Sequence, residues 1–181
     1  MKKLVLSALL LLGCSGHPCE GGGPAVASTY RPSATWEVHF SPKGGCTDMV
    51  VGLIDGSKHT VRVLAYSFTL QPVGDALIRA QGRGVDVQVV VDSGDLTNTS
   101  KTEVQALVDA KIPVFSDSKH AIAHNKVIIA DTLKVETGSF NYSSAAENSN
   151  AENCIVLTNG TLATTYTDNW TLHQGHSTPL Q

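Results

Sequence analysis

Six positions between 124 and 141 stand at spacings that can do chemistry: His124, Lys126, Asp131, Gly138, Ser139 and Asn141 spell H-x-K-x4-D-x6-G-S-x-N. At ordinary residue frequencies such a set coincides by chance on the order of 10⁻⁸ times per starting position. An imidazole can attack an electrophile or carry a proton, and an ammonium can hold an anionic oxygen beside it. On an extended strand alternate side chains share a face, so H-N-K puts His124 and Lys126 together. Ser139 and Asn141 add a hydroxyl and an amide donor, and Gly138 allows close backbone approach.

The elements that must position these residues are legible from periodicity. The folded part opens near Trp36 with the alternating strand W-E-V-H-F, stopped by S-P-K-G-G. Thr47 or Asp48 can cap a helix running to about Ser57, with Val50, Val51, Leu53 and Ile54 on its buried side. A strand over 60–68 follows, then a helix with Pro72 in its first turn that ends at Q-G-R-G. The run V-D-V-Q-V-V-V-D reads as a central strand buried on both faces. A short amphipathic helix over 101–111 and a strand over 112–115 complete a βαβαβαβ alternation, which predicts right-handed crossovers and a largely parallel sheet. Lys126 to Asp131 and Lys134 to Thr137 then form a hairpin, Cys154 to Leu157 a further strand, and Leu162, Tyr166 and Trp170 the apolar face of a closing helix. The predicted class is α/β: a mixed, largely parallel sheet with helices on both faces and one motif per chain.

The N-terminal stretch has a basic start at Lys2 and Lys3 and an apolar run from Leu4 to Leu12 that is too short to span a bilayer. Residues 1–14 are read as a signal peptide, and export follows, to the periplasm, the medium or a bacterial membrane. Leu11-Leu12-Gly13-Cys14 resembles a bacterial lipobox, so lipidation at Cys14 and ordinary cleavage both fit. Residues 15–33, rich in Gly, Pro and Ser, read as a flexible leader, and 34–181 as the folded domain. Without Lys2 and Lys3 the balance is eleven basic to sixteen acidic residues. That excludes a protein that coats nucleic acid by charge alone and makes any such contact local. An oxidising compartment permits a Cys46–Cys154 bridge, and two separately buried thiols fit as well.

The motif, with F-S-P-K-G-G before it, A-Y-S-F-T and R-G-V-D-V along the way, and A-A-E-N-S-N-A-E-N after it, resembles the phospholipase D superfamily, most closely its small single-motif bacterial endonuclease branch. The resemblance implies hydrolysis of phosphodiesters with a histidine nucleophile and with neither metal ion nor other cofactor. It also implies a homodimer whose one active site lies across the two-fold axis. His124 would attack phosphorus, and the partner's His124 would protonate the leaving oxygen. Lys126, Asn141 and Ser139 would bind the phosphate, and Glu152 would accept a hydrogen bond from the non-reacting ring nitrogen of His124. Asp131 completes the family's residue set. Seven residues along a strand from His124, it is read as fixing the strand end and pairing with a basic side chain. Two histidines on one phosphate titrate as a coupled pair, so a bell-shaped pH profile is expected.

DNA, with RNA also open to direct attack by His124, is the expected substrate, and phospholipid the alternative, cleaved as by a phospholipase D or a cardiolipin hydrolase. A non-catalytic domain binding nucleic acid or membrane is a third reading, which the full motif argues against. A zinc pair of His120 and His124 lacks further ligands at suitable spacing. Lys119 and His120 are read as substrate contacts or a solvated loop, Ser67 and Thr69 as lining the site mouth or capping, and His173 and His176 as a polar tail without chemistry.

Overall fold

The computed structural model of the protein describes residues 34–96 and 98–181, without the side chains of residues 98 and 99. The signal peptide, lipobox and leader readings fall on residues 1–33, outside the described residues. In chain order the elements are β1 (Thr35–Ser41), α1 (Cys46–Gly56), β2 (Thr60–Ala65), α2 (Gln71–Gly82), β3 (Asp86–Asp92), α3 (Asn98–Asp109), β4 (Val114–Asp117), β5 (Lys126–Ala130), β6 (Lys134–Gly138), α4 (Ser144–Asn148), β7 (Glu152–Thr158), α5 (Gly160–His176) and β8 (Thr178–Pro179).

The strands form one eight-stranded sheet in the order β1-β7-β6-β5-β2-β3-β4-β8. The mixed α/β sheet is as expected, but its balance differs. Parallel pairing is confined to β2–β3–β4, and every other neighbouring pair is antiparallel. The reason lies in the second half of the chain. The hairpin β5–β6 and then β7 insert beside β2 on the side away from β3, so β1 pairs antiparallel with β7 at the far edge instead of lying beside β2. The two-residue β8 and the five-residue α4 are too short to leave a period in the sequence.

Helices lie on both faces. Val50, Ile54, Val73, Leu77 and Leu107 from α1, α2 and α3 share one apolar cluster with Val61, Val63, Val87, Val89 and Ile128 of the sheet. On the other face Ala163 and Trp170 of α5 cover Leu64, Val90, Val127, Ile129 and Val135, with Leu162 and Tyr166 packed alongside, as the spacing predicted. The Trp170 indole N–H donates to the Val63 carbonyl at 3.0 Å, so the polar edge of a buried ring is satisfied. Arg62 stacks over the same ring at 5.3 Å. Cys46, at the start of α1, and Cys154 in β7 form a disulfide with a Cα–Cα distance of 6.0 Å, which decides between the two readings open for them.

Register brings the functional residues to one end of the sheet. Ala65 pairs with Lys126 and with Val91, Asp92 with Asp117, Gly138 with Cys154, and Ser41 with Glu152. The carboxyl ends of the parallel strands thus meet the start of β5, the end of β6 and the start of β7, where ligands of open α/β sheets bind.

Candidate active site

His124 lies two residues before β5 and is exposed, while Lys126, the first residue of β5, is buried at 7% exposure. The backbone of the loop is held to the end of β2 by Tyr66 N–H donating to the Asn125 carbonyl at 2.8 Å. The Tyr66 ring meets both motif side chains: its centroid is 4.6 Å from the His124 ring and 5.1 Å from the Lys126 Nζ. The expected shared face is therefore present, with Tyr66 as its floor. Tyr66 was not singled out from sequence. The Lys126 ammonium donates to the His124 carbonyl at 3.1 Å, and among the described residues no carboxylate lies within ion-pair distance of it. Burial pushes the Lys126 pKa down, and the more distant Glu152 charge opposes that shift. A buried cation without a contacting anion is costly, and a bound phosphate oxygen would relieve it.

Ser139 and Glu152 come together from the loop after β6 and the start of β7, and Asn141 stands two residues further along that loop. The Ser139 hydroxyl donates to Glu152 Oε2 at 2.6 Å and accepts the Asn153 N–H at 3.1 Å. Asn150 Nδ2 donates to Glu152 Oε1 at 3.0 Å. The carboxylate expected on the His124 ring is thus engaged by Ser139 and Asn150, and it makes no hydrogen bond to His124. A hydroxyl and an amide nearer in the fold satisfy its two oxygens first. The close approach demanded of Gly138 is real: a Cβ there would stand 2.1 Å from the Asn153 carbonyl oxygen. Asn141 keeps its side-chain oxygen buried and without a partner. Buried polar atoms are normally paired, so this acceptor calls for a donor, and only the Nδ2 of the same amide can serve an anionic ligand.

The loop carrying Ser139 and Asn141 is closed from below. Glu136 of β6 is fully buried and accepts the Tyr142 hydroxyl at 2.7 Å, while its other oxygen has no partner. Burial pushes the Glu136 carboxyl up to about 8, the Tyr142 hydrogen bond opposing, and drives the Tyr142 hydroxyl well above its usual range. The pair is neutral near pH 7 and staples residues 136 and 142 across the two motif donors. On the other side Asp92 accepts the Ala123 N–H at 2.6 Å and fixes the backbone next to His124. Asp92 is legible in hindsight as a lone acid ending an apolar strand.

Asp131 is at the opposite end of β5. Its carboxylate accepts the backbone N–H groups of His59 at 2.7 Å, Thr60 at 3.0 Å and Lys58 at 3.0 Å, where the chain enters β2. The strand-end role is as read, but the partner is a row of amides rather than a basic side chain, and the length of β5 separates Asp131 from His124. Burial opposes ionisation, yet these amides hold the carboxyl below the usual carboxylate range. Asp131→Ala should therefore lower the free energy of unfolding by about 1–3 kcal/mol, read as a lower urea midpoint.

Lys119 stays exposed. His120 contacts Asp117 rather than His124, and His173 and His176 of α5, expected to be a polar tail without chemistry, contact the same carboxylate. Ser67 and Thr69 follow β2, and Thr69 N–H donates to the Tyr142 carbonyl at 2.8 Å, a structural contact.

Residues 50–171 match the family described as "Cardiolipin synthase, PLD-like domain". A "Phospholipase D" of Rickettsia bellii (strain RML369-C) is 42% identical over 131 residues, 72% of this chain and 65% of that protein. A "Mitochondrial cardiolipin hydrolase" of Chlamydomonas reinhardtii is 26% identical over 113 residues, 62% of this chain and 50% of that one. The chain thus matches less than two thirds of the length of these relatives. Among solved structures, the phospholipase D family member Nuc of Salmonella typhimurium aligns with a TM-score of 0.80 at 36% identity, over 82% of this chain and 99% of that one. NucT of Helicobacter pylori shares the fold, with a TM-score of 0.74 at 18% identity over 82% of this chain and 100% of that one.

Proposed function

The chain belongs to the phospholipase D superfamily, and from this premise we propose that it is a phosphodiesterase, and specifically a metal-independent endonuclease cleaving DNA, and RNA by the same attack, at a site shared between two copies. The observation that carries the proposal is the exposed His124 imidazole beside the buried Lys126 ammonium, both on the Tyr66 ring.

A neutral His124 attacks phosphorus, forming a P–N bond as the P–O bond to the leaving group breaks. The leaving oxygen takes its proton from the partner's His124, which enters protonated. That imidazole then deprotonates water, which hydrolyses the phosphohistidine and restores both rings. Lys126 and the Asn141 amide hold the non-bridging oxygens. Ser139 is tied to Glu152, so Glu152 acts by fixing Ser139 and by balancing the Lys126 charge. One motif per chain supports the dimer, as do two exposed apolar side chains at the same end of the sheet, Ile122 at 55% and Phe40 at 64% exposure. The basic start and apolar run of residues 2–12, read as a signal peptide, support action outside the cytoplasm, with Cys14 as a lipid anchor in one variant of that reading.

Near-complete coverage of the small Nuc chain supports nucleic acid as substrate. The second reading, phospholipid, is favoured by the names of the rickettsial relatives. Plasmid, single-stranded DNA and cardiolipin vesicles are incubated with wild type and His124→Ala in excess EDTA, with circular dichroism in the same buffer to separate loss of chemistry from loss of fold. DNA cleavage that persists in EDTA and vanishes in the variant is expected. Lipid hydrolysis with intact DNA would transfer the assignment to the second reading, and a folded enzyme inactive in EDTA would contradict metal-independent attack.

A further inference from the structure

Asp117 ends β4 with its carboxylate fully buried, and three imidazoles converge on one of its oxygens. His173 Nδ1 lies 2.8 Å, His120 Nδ1 3.1 Å and His176 Nε2 3.2 Å from Asp117 Oδ2. The other oxygen accepts the Lys119 N–H at 3.0 Å, which fixes the carboxylate plane. The ring centroids are 5.0, 5.1 and 5.4 Å apart, and one donor atom from each of the four residues lies within 4.8 Å of every other. A carboxylate oxygen offers about two lone-pair sites, so three ring N–H donors on Oδ2 overfill it.

We propose that Asp117, His120, His173 and His176 bind one divalent transition-metal ion of the zinc class, tying the loop that leads to His124 to the C-terminal end of α5. Three imidazole nitrogens and one carboxylate oxygen are a borderline-soft set that suits zinc and its neighbours and disfavours calcium and magnesium, which need more oxygen ligands. Zinc–ligand bonds near 2.0–2.1 Å place tetrahedral donors about 3.4 Å apart, so the widest separations, now up to 4.8 Å, must close while Asp117 Oδ2 backs away slightly from its 2.8–3.2 Å contacts. The half-exposed His120, at 45% side-chain exposure, is free to supply it. His173 and His176 are a helical i,i+3 pair on one face, and His120 is three residues beyond Asp117, so all four ligands come from two short stretches. A four-ligand protein set leaves no open position, so the ion is structural. It takes no part in the attack by His124, and the proposal stands apart from the nuclease reading.

The test uses untagged protein stripped with chelator, dialysed and titrated with ZnCl2 by calorimetry, with metal content measured after gel filtration. The expected result is one zinc per chain with a Kd of about 1 µM or below, a melting temperature raised by zinc but not by magnesium or calcium, and a tetrahedral Co2+ visible spectrum on substitution. His173→Ala and His176→Ala should each weaken zinc binding at least about 100-fold, and His59→Ala should not. Should the helix variants lose the fold by circular dichroism, His120→Ala on the exposed loop gives the same reading. Zinc lost on gel filtration, or affinity unchanged in the folded variants, overturns the site and leaves a hydrogen-bonded imidazole cluster on Asp117.

Discussion

His124→Ala should reduce phosphodiester cleavage at least about 10⁴-fold while the protein stays folded, because in the proposed mechanism the substitution removes both the nucleophile and the proton donor of a symmetric site. The residue is exposed and its ring makes no hydrogen bond, so little stability is lost with it. Lys126→Ala should also inactivate, but its side chain is buried and its removal leaves a cavity over the Tyr66 ring, so the histidine variant is the cleaner probe. Symmetry adds a quantitative signature. When wild-type and His124→Ala chains are mixed in equal amounts and allowed to exchange, only dimers with two wild-type chains are active, so activity per total protein should fall to about one quarter. Self-sufficient chains would give about one half. The two outcomes are distinguished by plasmid nicking rates, with the exchange verified by mass spectrometry of the intact dimers.

The second large effect concerns stability. Burial raises the Glu136 carboxyl from 4.5 to about 8 in the folded chain, while in the unfolded chain it keeps its ordinary value. Between these values the native state binds the proton and the unfolded state has released it. Stability from this group is therefore fully present below about pH 4.5 and is lost as pH rises toward about 8, at about 1.4 kcal/mol per pH unit. Glu136→Gln keeps an acceptor for the Tyr142 hydroxyl and cannot ionise. Urea unfolding of the two proteins from pH 5 to pH 8 should show the wild type losing stability relative to the variant by that slope. Parallel curves would mean that Glu136 is ionised in the folded chain. The pair spans the loop of Ser139 and Asn141, so the same substitution tests whether the staple needs a charge.

What was legible follows from physical range. His124, Lys126, Ser139 and Asn141 lie within one hairpin and its flanking loops, so spacing alone placed them together. The alternation of β2, α2, β3 and α3 and the apolar face of α5 were equally local, and the structure keeps them. Pairing partners were not local. Nothing in β1 says that it crosses to β7, and nothing in a Tyr after β2 says that it will floor a site begun nearly sixty residues later. Glu152 illustrates competition: its expected partner His124 lost to Ser139, which the pairing of β6 with β7 brings closer, and to Asn150 in the turn before β7. The Asp117 cluster was hidden for the same reason, since β8 returns the end of α5 to β4 and no window of sequence contains both His120 and His173.

The central claim is covalent attack by His124, and rapid quenching tests it most directly. Wild-type protein mixed with a short labelled DNA, stopped in alkali within one turnover and digested, should yield a peptide carrying the nucleotide phosphate on His124, formed and consumed at rates matching cleavage. DNA cleaved at full rate with no such adduct, and cleavage surviving in His124→Ala, would contradict the account.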